Sequence, residues 1–274
     1  MDFSLILFLL VCVTGLLWAM DRWIWSAQRA RKTAHAPNGT ARKAYTEPVV
    51  VEYAKAFFPV ILIVFLLRSF VVEPFRIPSG SMLPSLLIGD FILVNKFAYG
   101  VRLPVVYTKV FDSGEPRRGD VAVFRFPGDP SINYIKRVVG VPGDVVVYKG
   151  KRLYINGELV AQTDAKPDTP GHLDDQTGAV TRYSEHLAAG ATHDILVIAD
   201  RPNHGPTEFS VPPDHYFVMG DNRDQSNDSR YWGYVPQENL VGKAFLIWFS
   251  WDASGRDAWP WERVVWNRIG NTIR

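Results

Sequence analysis

Two long apolar runs before residue 73 constrain this chain more than any other feature. Phe3 to Met20 holds about 18 uncharged residues, the length that crosses a bilayer as a helix. Ala56 to Val72 is a second run of about 17, with Arg68 snorkelling outward from near its end. Pro59 falls in the first turn of that run, where a missing N–H costs little, and Lys55 marks its near boundary. A cleaved export signal is the alternative for the first run. It fits poorly, because Asp2 replaces a positive leader region and no small-x-small site precedes Asp21. One span plus a buried helix is the alternative to two spans.

The segment between the runs carries Arg22, Arg29, Arg31, Lys32, Arg42, Lys43 and Lys55 against Asp21, Glu47 and Glu52. Lys and Arg bias of this kind keeps a loop in the cytoplasm. The N-terminus and everything after Val72 are then expected on the outer face. Trp18, Trp23 and Trp25 sit at the inner boundary, where amphipathic rings favour headgroups. Thr33 to Ala41, with Pro37, Asn38 and Gly39, reads as a flexible loop. The expected layout is a first span at 1–20, a basic cytoplasmic loop at 21–55, a second span at 56–72 and an extracytoplasmic domain at 73–274.

From Glu73 onward short β runs alternate with turn signals. Strands are expected at Asp90–Asn95, Asp120–Phe126, Tyr134–Val139, Asp144–Tyr148, Arg152–Ile155, Tyr216–Met219 and Lys243–Phe249. Lys149-Gly150-Lys151 and Asn156-Gly157 read as hairpin turns. The fold class is mainly β: two N-terminal transmembrane helices followed by an antiparallel β domain. From about Val160 to Pro212 the chain turns polar, and a peripheral β insertion with its own short strands is expected at about 146–211.

A net charge of +2 over 274 residues gives no footprint for nucleic acid. The single cysteine, Cys12, lies in the first apolar run, so no disulfide or thiolate metal site is available beyond it. His35, His172, His186, His193, His204 and His215 show no zinc-ligand spacing. His215 reads as structural. No Gly-x-Ser-x-Gly elbow is present, so a serine enzyme here would need lysine as its base.

Three segments carry candidate chemistry. In Pro78-Ser79-Gly80-Ser81-Met82-Leu83-Pro84 two hydroxyls flank a glycine that lets the backbone turn sharply. Pro84 suits the first turn of a short helix. A plain Ser/Gly/Pro loop is the alternative. In Tyr134-Ile-Lys-Arg-Val-Val139 strand alternation sends Lys136 and Arg137 to opposite faces. If one face is buried, one cation enters an apolar environment, and a lysine there is a usable base once neutral. An edge strand with both cations solvated is the commoner outcome. Met219 to Gly233 is a polar loop in which Asp228 and Arg230 can pair and Ser226 and Ser229 offer hydroxyls. A carboxylate metal loop and a structural turn are the alternatives, although the spacing departs from the calcium-loop pattern.

At these segments the chain resembles bacterial type I signal peptidases. The motifs are Glu73-Pro-Phe-Arg-Ile-Pro-Ser-Gly-Ser-Met82, Leu86-Leu-Ile-Gly-Asp90, Arg118-Gly-Asp120, Tyr134-Ile-Lys-Arg137, Gly140-Val-Pro-Gly-Asp144 and Gly220-Asp-Asn-Arg-Asp224, with Ser226 and Asp228-Ser-Arg230. The resemblance implies a Ser/Lys endopeptidase that cuts signal peptides from exported preproteins after an Ala-x-Ala-like site. It implies Ser81 as nucleophile, Lys136 as general base and Ser79 as side-chain oxyanion donor beside the Ser81 N–H. Ser226 would orient the lysine amine, with Asp228 and Arg230 supporting. Phe75, Ile77, Pro78, Met82, Leu86, Tyr134 and Ile135 would line shallow substrate pockets. No cofactor and no metal is implied. The expected partners are signal peptides, membrane lipid and the export machinery, at the inner membrane with the catalytic domain on its periplasmic face. A self-cleaving Ser/Lys membrane protease and a non-catalytic scaffold of the export machinery are the competing readings.

The spacing adds one expectation of its own. Ser81 lies nine residues beyond Val72, a reach of about 30 Å at full extension. The Ser81 site should therefore stay near the membrane surface. Trp248, Trp251, Trp259, Trp261 and Trp266 crowd the C-terminal quarter, and exposed ones would suit headgroups.

Overall fold

The computed structural model describes residues 3–34, 47–104, 107–168, 179–187, 190–202, 207–252, 259 and 261–273. His35, His172, His204, Arg42, Lys43 and most of the proposed 33–41 loop lie outside these residues. The chain divides into two units, one running up to Val71 together with Leu103–Thr108, the other Val72–Arg102 with Lys109–Arg274.

The first unit is a helical hairpin. One helix, Phe3–Met20, passes through a wider turn at Asp21–Trp25 into Ser26–Ala34. The second, Val49–Leu66, ends in a similar wide turn at Leu67–Val71. Phe3–Arg29 and Val49–Val71, 27 and 23 residues, are long and apolar enough to cross a membrane. The second helix starts seven residues earlier than the apolar run, which corrects two expectations. Pro59 lies inside the helix rather than in its first turn, and Lys55 is a helical residue rather than a boundary. Apolarity marks what lipid tolerates, whereas the helix itself begins at Pro48, whose extended backbone (ψ 135°) precedes Val49. Lys55 is accommodated by carboxylates, with Nζ 2.6 Å from Glu47 and 2.9 Å from the buried Asp21. The helices touch where Gly15 leaves room for the Phe58 ring, and the Trp18 and Phe8 rings meet Phe58 and Phe65 at 5.3 and 6.1 Å.

The second unit is β. A seven-stranded antiparallel sheet has the spatial order Val72–Arg76, Asp90–Asn95, Leu240–Ser250, Val121–Phe126, Asp129–Gly140, His215–Met219 and Val235–Pro236. Its strands are rich in Val, Ile and Phe. Ile92, Val94, Val121, Val123 and Ile247 form one core cluster, and Ala122, Phe124, Val138, Tyr216 and Val218 another. The strands read from sequence are present with ends moved by a few residues. The largest change is Asp129–Gly140, which begins five residues before Tyr134. Its exposed start, Asp129 to Asn133, carries no apolar alternation and is strand because the hairpin pairs it with Arg125 and Phe126. Gly150 and Lys151 (φ 57° and 60°) and Asn156 and Gly157 (φ 53° and 82°) adopt the left-handed conformation of tight hairpin turns, as expected.

Between Gly140 and His215 the chain builds two further sheets. One holds Thr207–Ser210, Val145–Lys149, Arg152–Ile155 and Glu158–Leu159. The other holds Ala161–Asp168, Val180–Leu187 and Ala191–Ile198. This stretch carries its own strands and also contributes to the core around the site. Val180, Leu196 and Ile198 share a buried cluster with Leu83, two residues beyond Ser81.

Candidate active site

Ser81 sits in one tight turn of helix, Gly80–Met82, between the extended residues Ser79 (φ −136°, ψ 158°) and Leu83 (ψ 141°). Pro84 does not open a helix, contrary to expectation. Leu83 before it is extended, and the turn stops at Met82. Ser81 is buried at 8% exposure, whereas Ser79 is exposed and lies on the wall of a cavity of about 690 Å³.

Lys136 lies in the strand Asp129–Gly140, paired to Ala122 of the neighbouring strand. Its Nζ is 2.7 Å from Ser81 Oγ and 3.0 Å from the Ile135 carbonyl oxygen. Lys136 is 4% exposed and Arg137 1%. Alternation does separate them, but neither face is open to solvent, so the expectations of one buried cation or of two solvated ones are both corrected. The second face is closed by an anion the local sequence does not reveal. Arg137 donates from Nε and Nη2 to the two oxygens of Asp221, at 2.8 and 2.7 Å. A buried arginine needs such a partner.

The two cations diverge in their electrostatics. Burial pulls the Lys136 amine down to about 8, although the charges of Asp228 and Asp221 oppose the fall. The Arg137 guanidinium instead meets a carboxylate at hydrogen-bond distance. Burial pushes Asp221 up, but the charge and hydrogen bonds of Arg137 outweigh it and hold the carboxyl below its ordinary range.

The polar loop after Met219 is built as the sequence suggests and does more. Arg230 Nε and Nη2 donate to the two oxygens of Asp228, each at 2.8 Å. Asp228 is fully buried, caps the short helix Ser229–Trp232 and accepts from the Gly220 N–H at 2.9 Å. Ser226 is buried, yet among the described residues its hydroxyl has no hydrogen-bond partner, Lys136 included. It packs where a side chain on Gly220 would sit, beside the Ser81 carbonyl, which is why only glycine fits at 220. Asn222 is the residue that reasoning from sequence passed over. Its N–H donates to the Ser81 oxygen and its Nδ2 to the Gly80 oxygen, each at 3.1 Å. A neutral amide gives no charge signal, and only its place in the Gly220–Asp224 motif marks it.

The expected pocket residues divide. Pro78, Tyr134 and Ile135 line the cavity beside Ser79, Ser81 and Lys136. Ile77, Met82 and Leu86, at 2%, 0% and 0% exposure, lie in the core behind it, and Phe75 packs half-buried on the same cluster. These four side chains belong to the core cluster of the sheet that carries the site. Ile88, Ile132, Asn133, Gln225 and Asn227 complete the wall. Among the described residues no group of three or more His, Cys, Asp or Glu is placed to hold a metal.

A hydroxyl beside an amine with a pKa near 8 has a usable base at hand, and the open cavity admits a substrate to both. The rest of the chain agrees with that chemistry. The family model described as signal peptidase, peptidase S26, matches residues 50–251. The signal peptidase I of Pseudomonas fluorescens is 50% identical over 273 residues, covering 92% of this chain and 93% of its own. That of Pseudomonas aeruginosa is 51% identical over 271 residues, with the same coverage. That of Haemophilus influenzae is 34% identical over 315 residues, covering 94% of this chain and 88% of its own. The chain belongs to the signal peptidase family, peptidase S26.

Proposed function

We propose that the chain is a membrane-bound serine endopeptidase that removes signal peptides from exported preproteins after an Ala-x-Ala-like site. Ser81 is the nucleophile and Lys136 the general base. The observation that carries this reading is the 2.7 Å approach of a buried lysine amine to the Ser81 hydroxyl. Ser81 Oγ attacks the scissile carbonyl carbon as its proton passes to neutral Lys136 Nζ. The carbonyl π electrons move to oxygen, and the Ser79 hydroxyl and Ser81 N–H donate to that oxyanion. The ammonium then protonates the leaving amine, and the C–N bond breaks. Neutral Lys136 next takes a proton from water as its oxygen attacks the acyl carbon; the acyl–Oγ bond then breaks, and the ammonium returns the proton to Ser81 Oγ, which restores the neutral amine. Small side chains of the cleavage site suit the apolar wall of Pro78, Tyr134 and Ile135. Asp228 and Arg230 hold the loop that carries Ser226, whose buried hydroxyl would orient the amine.

The two apolar helices and the signal peptidase I relatives fit a membrane-anchored protein. In this reading the anchor lies in the bacterial inner membrane, the loop between the helices faces the cytoplasm and the β unit faces outward. Exposed Trp248, Trp259, Trp261 and Trp266 suit the headgroup layer. Export machinery is the expected neighbour in the membrane.

The test is purified chain in detergent with a full-length preprotein, read by mass spectrometry of the cut site. Cleavage after Ala-x-Ala is expected, with none in Ser81→Ala at unchanged melting temperature. Near-normal processing by Ser81→Ala, prepared free of host peptidase, would rule out the serine mechanism.

A further inference from the structure

The Asp221–Asp224 segment lies between the catalytic sheet, whose Arg137 grips Asp221, and the insertion, which holds each of its residues. The Leu196 N–H donates to the Asp221 oxygen at 2.9 Å, and Leu196 bridges to Asn222 in parallel fashion. Glu185 grips Arg223 with both oxygens, one at 2.8 Å from Nη1, and both residues are buried at 0% and 1% exposure. The Ile198 N–H donates to Asp224 at 2.8 Å, and Lys151 Nζ reaches the other Asp224 oxygen at 2.6 Å. Each of the four consecutive residues thus has an anchor on the insertion.

The same segment holds the Ser81 turn. Asn222 Nδ2 donates to the Gly80 carbonyl oxygen at 3.1 Å. That carbonyl belongs to the planar peptide whose N–H is the Ser81 N–H, so fixing one fixes the direction of the other. The Asn222 N–H holds the next carbonyl, that of Ser81. Leu83, fully buried, packs directly with Val180, Leu196 and Ile198 of the insertion. Displacement of a reacting group by about 1 Å costs about a hundredfold in rate, so whatever locks this turn bears on turnover.

We infer that the inserted three-stranded sheet is a positioning element for the Ser81 turn, acting through Asn222 and Leu83, with Leu196 and Glu185 as its positioning residues. The inference rests on the Ser81–Lys136 reading above. Leu196 is the cleaner probe. Removing the Glu185 carboxylate strands a buried guanidinium, whereas Leu196→Ala removes only contact with Leu83 and its cluster.

The experiment compares full-length wild type, Leu196→Ala, Leu196→Val, Lys166→Ala and Ser81→Ala in detergent on one peptide with an Ala-x-Ala site. Leu196→Ala should lower kcat about tenfold on the high-pH plateau and leave KM within about twofold. The midpoint of its pH profile should stay near 8, because Lys136 keeps its burial. Amide hydrogen exchange across residues 80–83 should quicken. Leu196→Val should lower kcat about threefold, a measure that serves if Leu196→Ala does not fold. Lys166→Ala, on the exposed outer strand of the sheet, should match wild type. Wild-type kcat in folded Leu196→Ala or Leu196→Val, or a change confined to KM or to the pH midpoint, would overturn the inference. Activity in Ser81→Ala would instead overturn the Ser81 reading itself, so the two failures are distinguishable.

Discussion

Lys136 and Arg137 are neighbours of like charge, and their environments give them opposite uses. Arg137 is paired with Asp221 at 2.7–2.8 Å and ties the strand to the loop after Met219. Lys136 Nζ bonds Ser81 Oγ and the Ile135 oxygen, with no carboxylate in hydrogen-bond reach among the described residues, so burial dominates and its pKa falls to about 8. The active form has the amine neutral. kcat/KM should therefore rise with pH, gain about tenfold from pH 7 to the plateau, and pass its midpoint near 8. A flat pH–rate profile between 6 and 9 would contradict this. Lys136→Arg should be as inactive as Lys136→Ala, because arginine keeps the charge but cannot accept a proton. Partial rescue by arginine in the same assay would point to an electrostatic role instead. Ser79 stands exposed on the cavity wall. Ser79→Ala should lower kcat by about 10²–10³ with little change in KM, since one oxyanion donor is lost and the Ser81 N–H remains. A loss confined to KM would reject that role.

At the scale of elements, the strand Asp129–Gly140 sets the lysine's surroundings. Ile135 lines the cavity and packs partly against the core, and its carbonyl oxygen lies 3.0 Å from Lys136 Nζ. Ile135→Ser should admit water and ease solvation of the ammonium, moving the pH midpoint above about 8 and leaving the plateau lower. A midpoint that falls or stays put, measured beside wild type, would show that Ile135 is not part of the desolvating wall. Strand positions and the two hairpin turns were legible because alternation and Gly or Asn at the turns are local signals. The outer strand Ala161–Asp168 was not, because it is mostly exposed and carries Pro167 at an edge, where the ladder tolerates it. Pro59 misled for a related reason, since the apolar run is shorter than the helix that contains it.

For the whole molecule the open question is orientation. The loop between the helices carries the Lys and Arg excess, and the β unit begins at Val72. If positive charge sets the topology, external protease added to spheroplasts should digest the β unit and leave a protected fragment containing the Phe3–Val71 helices. Digestion only after the membrane is permeabilised would place the β unit inside and remove the link to exported substrates.

Sequence by itself determined the two apolar helices, the mainly antiparallel β unit, the Ser79-Gly80-Ser81 turn and the lysine strand. Each of these rests on interactions within a few residues: hydrophobic period, β-branched content, and the freedom of glycine or restraint of proline. Tertiary structure decided the chemistry of those residues. Ser81 and Lys136 meet across 55 positions of chain, and Arg137 finds Asp221 across 84. Which cation keeps its charge depends on which anion folding delivers to it, and a Lys-Arg pair in sequence is silent on that. The insertion shows the same limit. Its composition is polar, yet Leu196 and Ile198 are buried against Leu83, because burial is a property of what packs on a strand rather than of the strand alone.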